Sequence, residues 1–374
     1  MRRYYCFLLL CFVIMNIAAQ NIVSPEIHDD HSGSFRLYAP YAKRVSVESD
    51  CLLKYEDHSP FGEKTRKVKM YRDSIGIWTY TTEPLQPEVY FYTFIVDGKR
   101  THDPQNPDST FVLLHQVSLF AVGGTPRTNL YLHAPESLRG RIDTLSYYSD
   151  KQGISRRLLV YVPNRTSTET ESPLPILYLF HGISGDELRW VEHGRAADIL
   201  DNLISQGRIP QMLVVMPDCN VVKRIQKGKR TNLIRNILNY PNLCAGGFEA
   251  AFDELETFIQ NKYNVARESR YRAIAGLSSG ARQVCNIALL QPDTFSAIGL
   301  FTPVIGKKQL PKQSEAVYHV FVGTDDMFYK NGKRCYRYLA KKNIPCTFNE
   351  RNSGHTWRSW REFLTDFLPM LFKD

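Results

Sequence analysis

The chain has 374 residues, 43% of them hydrophobic, enough to bury a sizeable core and to form two or three domains. Its formal charge of +9 is spread without a basic stripe interleaved with aromatics, so nucleic acid is not an expected partner. Excess charge of this kind favours solubility and a mild attraction to anionic matter.

At the N-terminus, Arg2 and Arg3 precede an apolar run from Tyr4 to Met15 and the small pair Ala18-Ala19, the pattern of a secretory signal peptide over residues 1–20. Cys11 comes too early for a lipoprotein cleavage site, and no later stretch is long and apolar enough to span a bilayer. The mature protein is therefore expected to be exported, periplasmic or secreted, with no membrane span. Cys6 and Cys11 leave with the leader, and Cys51, Cys219, Cys244, Cys285, Cys335 and Cys346 remain without metal-ligand spacing. Neither a metal nor an organic cofactor is expected. Cys219 and Cys244 bracket one loop, and their spacing leaves open both a disulfide and two buried thiols.

Residues 21–122 alternate in the manner of strands, as in Phe35-Arg36-Leu37-Tyr38, Arg44-Val45-Ser46-Val47-Glu48 and Gly76-Ile77-Trp78-Thr79-Tyr80. Many short strands with turn signals and no helical period predict an immunoglobulin-like β-sandwich. Trp78 lies where the alternation buries it, so it reads as core before it reads as a sugar-stacking platform. The run from Tyr90 to Gly98 and the following Asp103-Pro104-Gln105-Asn106-Pro107 resemble carbohydrate-binding family 48, a module at the front of glycan-active proteins. Residues 123–144 are polar, open with Gly and Pro, and read as a linker.

From 145 to 374 strands alternate with helical patterns, which predicts an α/β domain with a mostly parallel, doubly wound sheet. Strands are expected at 157–162, 175–180, 212–217, 272–275, 297–301, 317–322 and 344–350. Helices are expected at 196–204, 248–261, 281–290, 332–341 and 358–372. Catalytic residues in such sheets gather at the carboxyl ends of the strands.

The strand at 272–275 runs into Gly276-Leu277-Ser278-Ser279-Gly280, which fits G-x-S-x-G and precedes a helical pattern. That turn exposes Ser278 as a nucleophile and aims the amide of Ser279 at a developing oxyanion. After the strand at 175–180 comes His181-Gly182-Ile183-Ser184-Gly185-Asp186-Glu187, where Ile183 is the candidate for the second oxyanion amide and His181 is expected to brace the turn. A serine hydroxyl needs an imidazole to take its proton and a carboxylate to fix that imidazole's tautomer. Asp326 in Gly323-Thr324-Asp325-Asp326 and His355 in Gly354-His355-Thr356-Trp357 each follow a predicted strand. The order Ser278, Asp326, His355 is that of α/β-hydrolases.

These motifs together, with Val215-Met216-Pro217, resemble carbohydrate esterase family 1, which holds feruloyl and acetyl-xylan esterases. The resemblance implies an α/β-hydrolase fold, the triad Ser278, Asp326 and His355, and esterified plant polysaccharide or oligosaccharide as substrate. A sandwich before such a domain is similar to the arrangement in xylan-debranching enzymes of gut bacteria. Around Gly280 this chain has Ser279 and Ala281 where that family usually has Met and Gly. Enterochelin esterases also resemble this pairing of domains, and a glycan-binding protein on an inactive esterase fold is a third reading. The insertion from 220 to 247 carries Lys223, Arg224, Lys227, Lys229, Arg230 and Arg235, which either cover the cleft toward an acidic glycan or stand in solvent.

Overall fold

The structure is a computed structural model that describes residues 22–53, 64–112, 115–165, 172–183, 185–220 and 247–373. The expected leader, Cys244 and the basic positions of the insertion lie outside the described residues. Two compact units meet in the sequence at Leu132 and His133.

The first unit is built from short antiparallel strands: β1 (Glu26–Ile27), β2 (Gly33–Tyr38), β3 (Val45–Ser49), β4 (Arg66–Lys69), β5 (Tyr71–Arg72), β6 (Ile77–Thr81), β7 (Glu88–Val96), β8 (Lys99–Thr101), β9 (Ser109–Val112) and β10 (His115–Val122). They form one sheet in the order β1-β2-β6-β5 and a second in the order β4-β3-β7-β10-β9, with β8 on β7. Alternation sends Val45 and Val47 inward from β3 while Ser46 and Glu48 are only partly covered. Phe35, Leu37 and Trp78 of one sheet share a core with Val47, Tyr92, Phe94 and Phe120 of the other. The Phe35 and Tyr92 rings lie 4.8 Å apart. Trp78 is buried, as its strand pattern predicts, and its indole N–H donates to the Ala39 carbonyl at 2.9 Å.

The second unit holds one mixed sheet of eight strands: β11 (Arg141–Ser149), β12 (Ile154–Val162), β13 (Ile176–Phe180), β14 (Leu213–Pro217), β15 (Arg272–Leu277), β16 (Ala297–Phe301), β17 (Val317–Gly323) and β18 (Cys346–Arg351). Their order is β11-β12-β14-β13-β15-β16-β17-β18. β11 and β12 form an antiparallel hairpin, β12 runs antiparallel to β14, and all later pairings are parallel. The helices are α1 (Arg189–Glu192), α2 (Ala196–Ser205), α3 (Phe252–Lys262), α4 (Ser279–Leu290), α5 (Tyr329–Lys341) and α6 (Trp357–Phe367). β13, β14, β15 and β16 are buried at every residue, which is why they read in the sequence as continuous apolar runs.

β12 and α5 each begin three residues earlier than expected, α1 has no predicted counterpart, and three further stretches depart from expectation. Residues 123–144 are not a plain linker: they contain 3₁₀ turns at Thr128–Tyr131 and Glu136–Leu138, bury Leu130 and Tyr131, and enter β11 at Arg141. β11 is an edge strand with polar residues on both faces, so it lacks the apolar alternation that marks a strand. At the C-terminus the helix predicted to reach Phe372 ends at Phe367, where Pro369 turns the chain into a 3₁₀ segment. The segment expected to start α3 at Phe248 makes a 3₁₀ turn first, and the α-helix begins at Phe252. Among the described residues, no helix is long and apolar enough to cross a membrane.

Candidate active site

Ser278 stands between the end of β15 and the start of α4, with φ 52° and ψ −113°. A non-glycine residue at positive φ costs on the order of 1–3 kcal/mol, a strain that neighbouring packing must hold. The hold is visible on two sides. The Ser278 amide donates to the Phe301 carbonyl at 2.8 Å, extending the β15 ladder one residue past the strand. The turn after β13 lies directly against the elbow: a Cβ placed on Gly182 would come within 2.5 Å of a Leu277 methyl and 3.4 Å of the Ser278 Cβ. Ile183, the next residue, is partly exposed. Because Ser279 is the first residue of α4, its N–H has no carbonyl one turn earlier in the helix and is free to bind an anion.

His181 anchors that turn. Its imidazole is buried, with Nδ1 2.7 Å from the Gly182 carbonyl, and the Cys219 amide donates to Nε2 at 3.1 Å. The Cys219 amide makes Nε2 an acceptor and leaves the Nδ1 proton for the Gly182 carbonyl, although burial, which disfavours the charged ring, is outweighed by Cys219 and Asp218 beside it, which pull the imidazole up to about 10. These contacts link the end of β13 to the end of β14. Asn220 donates through Nδ2 to the Gly185 carbonyl at 2.6 Å, and Gln283 of α4 donates to the Cys219 carbonyl at 2.7 Å. Cys219 is a buried thiol with its Sγ 3.3 Å from His181 Nε2, and Cys244, its candidate partner by spacing, lies outside the described residues. Glu187, at the far end of the turn, is buried and ion-paired with Arg157 of β12. Asn220 and the Arg157–Glu187 pair carry no sequence signal, because each pairing joins residues far apart in the chain and depends on the sheet order.

The second half of the site lies past β17 and β18. His355 Nδ1 is 2.9 Å from Asp326 Oδ2, and Asp326 Oδ1 accepts from the Phe328 amide at 2.8 Å. Asp326 is only 4% exposed, whereas Asp325 is on the surface. Of the two adjacent carboxylates, it is therefore Asp326 that meets the imidazole. The Asp325 amide donates to the Ser353 carbonyl at 3.1 Å and the Thr324 amide to the Arg351 carbonyl at 2.8 Å, which lash the two loops together. The His355 ring is held edge-on by Phe328 at 5.2 Å and by Trp360 at 4.9 Å. Trp357 and Trp360 sit one turn apart on α6, and Trp357 stacks on His193 at 5.4 Å. An imidazole fixed in this way keeps Nε2 as its free proton acceptor.

An eight-stranded mixed sheet with a strained serine elbow after β15, an acid after β17 and a histidine after β18 defines the α/β-hydrolase class. The Esterase family model matches residues 149–336, about half of the chain, and the chain belongs to that family. This places it among carboxylic ester hydrolases. Over 358 residues it is 27% identical to an endo-1,4-beta-xylanase/feruloyl esterase of Xylanibacter ruminicola, an alignment covering 93% of this chain and 46% of the relative. The chain thus spans about half the length of that relative. Among solved structures, a ferulic acid esterase of Anaeromyces mucronatus is 19% identical, with TM-score 0.52 over 64% of this chain and 96% of that one. The enterochelin esterase of Shigella flexneri is 16% identical, with TM-score 0.61 over 95% of this chain and 96% of that one. At these identities the two structural likenesses describe the fold.

Proposed function

We propose that the protein is an exported serine esterase that removes feruloyl or acetyl groups from plant cell-wall polysaccharide, xylan in particular, through an acyl-enzyme. The observation that carries this reading is the hydrogen bond from His355 to the buried Asp326, on a sheet that presents Ser278 at a strained elbow. In the proposed reaction Ser278 Oγ attacks the ester carbonyl and its proton passes to His355 Nε2. Asp326 stabilises the imidazolium, and the amides of Ser279 and Ile183 bind the oxyanion. Collapse expels the sugar alkoxide, which takes the proton from His355. Water, deprotonated by the same imidazole, then releases the carboxylic acid and restores Ser278. The feruloyl esterase relatives and the basic, Arg-led N-terminal leader motif support the substrate and the export. The first unit, with its two antiparallel sheets, fits an immunoglobulin-like module of the family-48 type that serves as a spacer.

Ser278→Ala is expected to cost about six orders of magnitude in turnover with the fold retained. Asp326→Asn should cost about four, by favouring the wrong imidazole tautomer, while Asp325→Asn should cost less than tenfold. All three are assayed on one soluble ester. A dead Asp325→Asn beside a nearly normal Asp326→Asn would sink the acid assignment.

A second reading, a siderophore esterase, is favoured by the likeness of the enterochelin esterase over 95% of this chain. Hydrolysis rates on methyl ferulate, acetylated xylan and enterochelin separate the two. Hydrolysis of enterochelin alone would replace the first reading with the second.

A further inference from the structure

The second unit carries a cavity of about 430 Å³ at the sheet edge opposite the elbow, and the proposed catalysis does not use it. Leu174, just before β13, and Leu213, the first residue of β14, line it, so it lies at the amino ends of the parallel strands. The site residues lie at the carboxyl ends, about 15 Å away along a strand of this length. Four cationic side chains also line the cavity: Arg139, Arg141, Arg165 and Lys262.

Among the described residues, the carboxylates of Asp143 and Asp201 offset part of that charge. Arg141 pairs with Asp143 at 3.0 Å, and that carboxylate already accepts the Tyr263 hydroxyl at 2.7 Å. Arg139 donates through Nε to the Ala134 carbonyl and lies close enough to the Asp201 carboxylate to feel its charge, whereas Arg165 donates through a terminal nitrogen to the Ser172 carbonyl, which satisfies an N–H group but not charge. Arg165 Nε is buried without a hydrogen-bond partner among the described residues. A buried guanidinium N–H without an acceptor is costly, and like charges around a concave, partly apolar wall concentrate a positive potential. The volume lies within the roughly 300–1,000 Å³ of small-ligand sites.

We infer that this cavity binds a carboxylate carried on a ring, with the ring beside the part-exposed Tyr263 and the carboxylate among the guanidinium and ammonium groups. Arginine forks match carboxylates bidentately, and an aromatic side chain in the lining suits the face of a sugar or aromatic ring. The ligand's source is either a uronate-bearing oligosaccharide or a small aromatic acid. The inference does not depend on the esterase reading, because no residue of the proposed catalytic machinery lines the cavity.

The test is calorimetric titration of the full chain with three probes: a xylo-oligosaccharide bearing one glucuronic acid, the neutral oligosaccharide of the same length, and ferulate. The acidic oligosaccharide is expected to bind about tenfold or more tightly than the neutral one, and less tightly as salt rises. The double variant Arg165→Gln/Lys262→Gln should lose that preference while keeping the thermal midpoint and the hydrolysis of a soluble ester. Preferential binding of ferulate alone, lost in the same variant, assigns the site to the small acid. If neither anion binds more tightly than the neutral sugar, or if the double variant leaves the preference intact, the inference is overturned.

Discussion

Gly280 has no room for a methyl group: a Cβ there would lie 2.3 Å from the His181 carbonyl oxygen and 3.0 Å from that of Phe180. Both obstacles are backbone, so the turn itself would have to move. We expect Gly280→Ala to lower turnover about a hundredfold or more, the scale of an ångström-sized misplacement, with KM changed much less. Steady-state kinetics on a soluble ester checks this. Such crowding explains why the elbow was legible in the sequence, since only glycine meets the constraint on either side of Ser278. The choice of Asp326 over Asp325 was legible only through the motif, because pattern cannot tell which of two neighbouring carboxylates is buried. The bracing of His181 by Cys219 was less so, since the contact spans 38 positions. Elsewhere, His319 on β17 is buried against Phe367, with Nδ1 3.0 Å from the Thr347 hydroxyl. Burial holds its imidazole down to about 4 from an ordinary 6.5. The unfolded chain therefore binds a proton that the folded chain refuses. Stability from this site is present above pH ~6.5 and falls as pH drops toward ~4, by on the order of 3 kcal/mol. His319→Gln should flatten that part of the denaturation-midpoint-against-pH curve.

The strand that presents Ser278 begins with a buried charge. Arg272, the first residue of β15, pairs with Glu256 of α3, and its guanidinium lies 5.5 Å from the centre of the Phe295 ring. Burial pushes the Glu256 carboxyl up, against the pull of Arg272. Glu256→Ala would leave a buried cation alone and should cost about 3 kcal/mol by urea denaturation, whereas Glu256→Leu with Arg272→Met should recover most of it. If the single variant is as stable as the wild type, the pair is not holding α3 to the sheet. At this scale the sequence was most legible where burial is complete. The five central strands from β13 to β17 follow from apolar runs; β16 has the expected bounds, and the others differ from theirs by one or two residues. β11 escaped because both of its faces carry polar groups. Short α1 escaped because four residues cannot show a helical period.

Across the whole molecule, the two units follow the change of texture from period-two alternation to strand-and-helix alternation, and their boundary at Leu132 and His133 falls within the stretch 123–144 that separates the two textures. Leu130 and Tyr131 pack into structure within a stretch whose composition is that of a linker. The sheet order also distributes the site unevenly. β15, with the nucleophile, is flanked by β13 and β16 and buried throughout, whereas β18, which leads to His355, is the last strand, with β17 as its sheet neighbour, and is half covered. Edge structure of this kind opens at lower free energy than the centre of a sheet. On warming, the proton acceptor should therefore drift away from an intact serine before the core melts. Ester hydrolysis should then fail several degrees below the calorimetric midpoint and return on cooling. Amide hydrogens of β18 should exchange well before those of β15 over the same interval. Coincident loss of activity and heat absorption would instead mean that the rim and the centre of the sheet melt as one.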